Sequence, residues 1–484
     1  MIFQSYEFLL FFAVTLAVCL PAARRSVPAA KALLTLASLL FYLWGFEENA
    51  LLGFVVLLAG SWVSFSAGRY LTACRQRGGS AKAVFILALI WHIAVLVAFK
   101  YTGFLTGGAV SVPFVPLGLS FFTFQQLWYL KEIWTGQFVP SRWSLSAGVD
   151  FTLFSFFFPT VSSGPILRPG AFFPQLSDGR FLHPTWTDAA AGLYAIVLGC
   201  AKKILLADSF GVLVGNGYAH LTELDTISAS MVVLGYTLQL YFDFSGYCDM
   251  AAGLARLLGI RLPVNFDSPY RSLSVGEFWK RWHITLTTFL RECLYFPLGG
   301  SKKGTARTYC NILIIYLVSG LWHGAGWTFL LWGALHGLAQ VVERLLGKRR
   351  DKLPKWLQWV LTFAFVNVAW VYFRAPSVAE GTAVLRAVFS LRFSKPQAWL
   401  SEGIFSSELE AVRILLPALA PWRNVLAVGA LFLVAMVIAL WPRNTIRQMD
   451  RFKPTFWRGA ALFVLAMWSV LSFSGITQFI YSNF

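Results

Sequence analysis

Three of the six histidines in this chain fall close together: His283 in EFWKRWHITL, His323 in SGLWHGAGW and His336 in WGALHG. Imidazole titrates near neutrality, so it can take and return a proton at cellular pH. An ionisable side chain within an apolar stretch is costly and marks a functional candidate. His323 stands between Trp322 and Gly324 where two apolar runs meet, and Gly324 and Gly326 allow close backbone approach and unusual dihedrals. That pattern suits a general base at a broken helix. His283 follows Lys280 and Arg281 and is open to two readings, a working group or an interfacial residue bonded to backbone. His336 reads as a packed helix histidine. His92 lies in an apolar run, and His183 and His220 lie in loops; nothing around these three suggests catalysis.

Other chemistries lack their residues. His323 and His336 are 13 positions apart, roughly 20 Å along one continuous helix, so they share an ion only if the chain folds back. No H-E-x-x-H spacing, G-x-S-x-G elbow, P-loop or dinucleotide fingerprint occurs, and no metal site is expected. Cys19, Cys74, Cys200, Cys248, Cys293 and Cys310 form no C-x-x-C pair and read as reduced thiols packed as small hydrophobes. Asp243 and Asp249, in LYFDFSGYCDMAAGLARLLGI, have two readings. They are hydrogen-bonded helix contacts or partners for Arg256, or they orient the catalytic region.

The elements that must hold these residues are membrane helices. Hydrophobic residues make up 57% of the chain and charged residues only 13%, against roughly 25% charged in soluble domains. Lipid must therefore be the solvent for much of the surface. The net charge of +18 sits in short clusters between apolar runs, which is the pattern of membrane orientation and not of nucleic-acid binding. A span needs about 20 mostly apolar residues. Eleven runs qualify once flanks or tilt are allowed: 8–20, 32–46, 51–71, 83–99, 193–207, 228–244, 309–321, 327–342, 356–373, 425–441 and 460–473. The first run follows no basic region and precedes Arg24 and Arg25, so it reads as a retained helix and not a cleaved signal.

Basic and acidic loops alternate. Arg24, Arg25 and Lys31 follow the first run, Glu47 and Glu48 the second, and Arg75, Arg77 and Lys82 the third. Lys302, Lys303 and Arg307, then Lys348 to Lys352, then Arg443 to Arg458, extend the pattern. This places the basic loops in the cytoplasm and both termini outside. The stretch 374–423 then lies outside despite Arg386, Arg392, Lys395 and Arg413; long loops obey the charge rule poorly. Segments 112–134, 156–175 and 274–297 are too polar or proline-broken to span simply. Such backbone survives at membrane depth only inside protein or beside a watery cavity, so these segments are expected to line an internal passage. The whole reads as a single domain: N-terminal helices over 1–110, a motif-bearing core over 111–345 and C-terminal helices over 346–484. No convincing internal repeat is found, which weighs against a transporter built from inverted repeats.

Taken in order, PLGLSFFTFQQLWYL (116–130), FPTVSSGPILRPGAFFPQL (158–176), GCAKKILLAD (199–208), YFDFSGYCDMAAGLARLLGIRLPVNFDSPY (241–270), EFWKRWHITL (277–286), LWHGAGWTFLLWGALHG (321–337) and VYFRAPSVAEGTAVLRAVF (371–389) resemble the membrane-bound O-acyltransferases (MBOAT) of the alginate O-acetylase, AlgI-like, branch. One departure is KEIW at 131–134, where relatives carry an aspartate-containing version. The resemblance implies an all-α polytopic bundle of about 11 transmembrane helices, with re-entrant segments around a central tunnel. It implies His323 as the catalytic residue and His283 as the second histidine. Trp322, Trp282, Asp243, Asp249, Asn265, Tyr270, Gln125 and His336 are the accompanying candidates for lining the substrate passage. It further implies transfer of an acetyl group from a cytoplasmic thioester, acetyl-CoA, to an exported polysaccharide such as alginate. The protein itself would lie in the cell inner membrane, a secreted or membrane-anchored SGNH-like partner would finish the transfer, and no cofactor would stay bound. D-alanyl transfer to a cell-wall polymer, as in DltB-like members, stays open, as does a non-enzymatic transporter or flippase.

Overall fold

The computed structural model describes residues 3–44, 49–110, 112–394, 397–441, 443–475 and 480. Glu47, Glu48 and Lys395, used above for orientation, lie outside the described residues. The N-terminal helices are α1 (Tyr6–Arg25), α2 (Val27–Trp44), α3 (Ala50–Gln76), α4 (Lys82–Leu96), the short α5 (Thr102–Leu105), α6 (Leu119–Thr135), α7 (Leu145–Phe156) and the short α8 (Pro169–Phe172). Then come α9 (Trp186–Ala201), α10 (Asp208–Ala219), α11 (Thr226–Leu257), α12 (Val275–Arg281), α13 (Ile284–Leu290), α14 (Thr305–His323) and α15 (Trp327–Leu346). The chain ends with α16 (Lys355–Arg374), α17 (Val378–Val388), α18 (Ser406–Leu415), α19 (Arg423–Leu440), α20 (Thr445–Met449) and α21 (Phe456–Leu471). No strand occurs among the described residues.

Among the described residues, seven helices are long and apolar enough to cross a membrane: Tyr6–Arg25, Val27–Trp44, Ala50–Gln76, Lys82–Leu105, Trp186–Ala219, Lys355–Arg374 and Arg423–Leu440. Their outward faces carry exposed leucines, isoleucines and tryptophans, among them Leu10, Leu87, Ile90 and Leu433. That surface is stable only against hydrocarbon. The expected runs at 228–244, 309–321 and 327–342 fall on α11, α14 and α15, which carry the polar and ionisable residues of the core. The run at 460–473 falls largely on the shorter α21.

Helix α11 is the axis of the molecule. It has 32 residues, about 48 Å of helix, and most of its side chains from Tyr236 onward are buried. Glycine brings α9 onto it. A Cβ on Gly199 would sit 2.6 Å from the Gly246 carbonyl oxygen, and one on Gly253 would sit 2.5 Å from that of Gly192. Small residues at an interface let backbones approach where lipid supplies no hydrophobic drive.

Among the described residues three π-turns interrupt the helical runs, at Val97–Tyr101, Lys202–Ala207 and Arg291–Tyr295. Each holds charged residues: Lys100; Lys202 and Lys203; Arg291 and Glu292. A π-turn adds a residue to one turn and rotates its side chains off the regular face, and such turns are common at functional sites.

The segments judged too broken to span are interior. Helix α6 is buried along most of its length between α3, α4 and α7. The non-helical run 157–167 is also almost wholly buried, the placement that non-helical backbone requires at membrane depth. The stretch 374–423 is more ordered than a long loop, since it contains α17 and α18. Asp225 fastens it by accepting from the backbone N–H and hydroxyl of Ser394, each at 2.7 Å.

Candidate active site

His323 is the last residue of α14, and α15 resumes four residues later. The hairpin is closed by backbone contact. A Cβ on Gly320 would lie 2.4 Å from the Phe329 carbonyl oxygen, and one on Gly333 would lie 2.4 Å from that of Tyr316. A Cβ on Gly324 would lie 2.1 Å from the Phe329 ring. The glycines beside the W-H-G break therefore serve helix contact, and His323 is carried at the tip of a rigid hairpin. Helix α14 is 19 residues, about 28 Å, so His323 stands a full helix length from the Lys302–Lys303 cluster at its other end.

His283 joins α12 to α13 with φ 45° and ψ 54°, a left-handed conformation that costs a non-glycine residue of order 1 kcal/mol or more. Asn265 holds this turn. Its Oδ1 accepts from the Thr285 N–H at 3.1 Å and from the Thr285 hydroxyl at 3.0 Å, and it lies 3.3 Å from His283 Nδ1. The Asn265 backbone carbonyl accepts from the Ile284 N–H at 3.0 Å.

The fold brings the two histidines together. Their ring centroids are 6.4 Å apart, and their exposures are 0% and 1%. Aromatic rings enclose them. His323 meets Trp322, Trp332 and Phe373 at 4.8–5.2 Å, each edge to face. His283 meets Phe244 at 4.8 Å and Trp322 at 5.8 Å. Trp282 is fully buried among Phe266, Phe278 and Trp370. Tyr270 supports that group, donating its hydroxyl to the Thr237 carbonyl at 2.7 Å. A site of this kind excludes water.

His336 sits one layer back. Its Nδ1 accepts from Trp279 Nε1 at 3.1 Å, and its ring lies 4.9 Å from Trp332, which in turn faces His323. Packing is therefore its evident role. Gln125 binds the Phe154 carbonyl within the α6–α7 contact. Asp243 and Asp249 are tied to the α9 side of α11 by ion pairs, Asp243 to Lys203 at 2.8 Å and Asp249 to Lys202 at 2.6 Å. Arg256 is not their partner; it pairs with Asp188 at 2.9 Å and Asp450 at 2.8 Å. Geometry decides this. Lys202 and Lys203 reach α11 from the π-turn beside it, whereas Arg256 lies near the helix end. His92 and His220 are satisfied locally, at 2.7 Å from the Ser64 hydroxyl and 3.0 Å from the Asn216 carbonyl oxygen respectively. Among the described residues no group of histidine, cysteine and carboxylate side chains is arranged to hold a metal.

Lys100 escaped the sequence reading. Its ammonium donates to the Trp322 carbonyl and, at 3.0 Å, to the Ser120 hydroxyl. The Trp322 indole N–H donates to the Ser120 carbonyl at 3.2 Å. Lys100 thus ties its side chain to the peptide next to His323. The signal was a lone lysine closing an apolar run, hidden because it also resembled an ordinary helix end. The divergent segment KEIW has a defined place as well. The buried Glu132 binds Arg168 and accepts from the Gly170 N–H at 3.1 Å, while Lys131 reaches Glu292 at 3.4 Å.

Residues 3–378 match the model of the MBOAT, membrane-bound O-acyltransferase family. The chain is 37% identical to the peptidoglycan O-acetyltransferase of Helicobacter pylori over 399 residues, covering 75% of this chain and 74% of that protein. It is 37% identical over 374 residues to the protein of Pseudomonas aeruginosa named "Probable alginate O-acetylase AlgI", covering 74% and 69%. The teichoic acid D-alanyltransferase of Bacillus subtilis is 27% identical over 267 residues, covering 52% and 66%. The chain is a multi-pass membrane O-acyltransferase and belongs to the membrane-bound O-acyltransferase family.

Proposed function

We propose that the protein moves an acetyl group from a cytoplasmic thioester, acetyl-CoA, through the membrane for O-acetylation of an exported bacterial polysaccharide. The observation that carries this reading is the meeting of His283 and His323 in one buried aromatic enclosure. His323 acts as general base. It takes the proton of the acceptor hydroxyl as the oxygen attacks the acetyl carbonyl, and it returns that proton to the departing sulfur. The ester C–O bond forms, the C–S bond breaks and the free thiol leaves. Lys100, bonded to the Trp322 carbonyl, fixes the peptide that carries the base. His283 positions the donor on the cytoplasmic side of a central tunnel.

Similarity to two O-acetyltransferases at 37% identity supports acetyl transfer over D-alanyl transfer, whose named relative is 27% identical over a shorter stretch. We place the protein in the inner membrane with both termini outside, working with an SGNH-like partner that hands the acetyl group to the polymer. The test is gene deletion with measurement of ester-linked acetyl in each extracellular polymer, complemented by wild type or His323→Ala. Loss restored only by wild type is expected. An unchanged acetyl content in every polymer, or a shift to D-alanyl ester, overturns the reading. Full acetylation of polymer by the purified protein and acetyl-CoA alone overturns the partner.

A further inference from the structure

Away from the histidines, one face of α19 lines a cavity among the described residues. Ala427, Leu431, Val434, Ile438 and Trp441 recur at helical spacing along one wall of a 590 Å³ cavity. They span 15 positions, the last at the helix C-cap, about 21 Å. Helix α9 forms the opposite wall through Leu198 and Ala201, and α21 closes the side through Leu465 and Trp468. Its few charged linings are largely matched: Lys202 is bound to Asp249, and Glu408 accepts from Trp468 at 2.9 Å at the far end. The size falls within the ~300–1,000 Å³ range of ligand sites.

At the other end this cavity runs into a second one of 360 Å³, with Arg443 and Gln448 lining both. The second cavity adds Arg451 and Arg458. All three arginines are exposed, and among the described residues none has an acidic partner, whereas the adjacent Arg447 is engaged by Asp267 at 2.5 Å. Trp441 and Trp457, 54% and 80% exposed, flank them. Exposed tryptophans beside arginines mark headgroup depth, and the basic loop marks the cytoplasmic leaflet.

We propose that this composite cavity holds an anionic phospholipid, one acyl chain lying along α19 and the phosphate seated among Arg443, Arg451 and Arg458. Basic pockets between membrane helices on the cytoplasmic side suit such headgroups. The apolar arm, continuous with the arginines, selects a lipid over a free phosphate or a soluble nucleotide thioester.

The full chain, purified in detergent, is exposed to phosphatidylglycerol or phosphatidylcholine, and retained lipid is counted by native mass spectrometry. Phosphatidylglycerol is expected to be held at least tenfold better. The R443Q/R451Q/R458Q variant should lose that preference, and Ala430→Trp, which fills the groove, should expel the lipid with the arginines intact. Millimolar inorganic phosphate and coenzyme A should leave retention unchanged. Equal retention of both lipids, retention unaffected by Ala430→Trp, or displacement by coenzyme A overturns the proposal. Should the triple variant fail to fold in a thermal melt, the lipid preference and Ala430→Trp decide alone.

Discussion

The rings of His283 and His323 lie 6.4 Å apart with their planes tilted by 59°, and the indole of Trp322 stands edge-on to both. The two arrive by independent routes. His323 is carried on the tip of the α14–α15 hairpin, and His283 on a left-handed turn held by Asn265. Each route can be broken separately, and the consequences differ.

His323→Ala and His323→Gln should both abolish transfer while membrane insertion and abundance stay near normal. General base catalysis contributes roughly 10²–10⁴-fold, so a trace of activity is allowed. Glutamine keeps bulk and hydrogen bonding without accepting and releasing the proton. His283→Ala should also be severe but partly rescued by high donor concentration, because loss of a binding contact raises KM. His336→Ala should be milder than either. Transfer per inserted molecule across a donor titration is the measurement. Near-normal turnover in His323→Gln would remove the general-base assignment.

Asn265→Ala should mimic His283→Ala while leaving both imidazoles in the chain; it removes the Oδ1 that lies 3.3 Å from His283 Nδ1. It strands the Thr285 N–H and hydroxyl, whose bonds to Asn265 Oδ1 are 3.1 and 3.0 Å, at about 1–3 kcal/mol for each buried group. The strained His283 turn should then relax. A lower melting temperature with a raised donor KM is expected. A lowered melting temperature with unchanged kinetics would show that the clamp serves only folding.

Much of this was legible in the sequence because it is local. The W-H-G break and the proline-broken segments each lie within one short stretch of chain. The partners of Asp243 and Asp249 were not, since Lys203 and Lys202 lie 40 and 47 positions away on another element, and Arg256 was nearer in sequence. Lys100 was missed for a related reason. Its contacts are to Ser120 and to the backbone of Trp322, and backbone acceptors leave no mark in a sequence. The N-terminal spans were plain because lipid faces them; α11, α14 and α15 were also legible as apolar runs, at 228–244, 309–321 and 327–342, although they carry the polar groups of the core.

The hairpin can be tested through its glycines. Gly320→Ala places a methyl 2.4 Å from the Phe329 carbonyl oxygen, so α14 and α15 must separate. Overpacking of this kind costs typically ~1–3 kcal/mol, more than the ~0.5–1 kcal/mol that alanine gains over glycine in a helix. Gly429→Ala in α19, with no atom within 4 Å of the added methyl, is the control and should be neutral or stabilising. Thermal melts of both variants decide. Equal melting temperatures would show that the hairpin contact is slack.

Structure and chemistry can be separated at Asp249. Lys202 donates to Asp249 at 2.6 Å and to the Thr445 hydroxyl at 2.8 Å, with both charges buried. Removing one partner of a buried pair leaves an uncompensated charge and costs ~3–5 kcal/mol, whereas replacing both by apolar residues of similar size is often neutral. Lys202→Met and Asp249→Leu should therefore each lower the melting temperature sharply, and the double variant should recover most of the loss. Activity then discriminates between the two readings of Asp249. If the carboxylate only holds α9 to α11, transfer returns with stability in the double variant. If it lines the path of the substrate, the double variant folds and stays inactive. The ion pair accounts fully for the burial of both groups, so recovery of activity is the expected result; a stable, inactive double variant would move Asp249 into the transfer path.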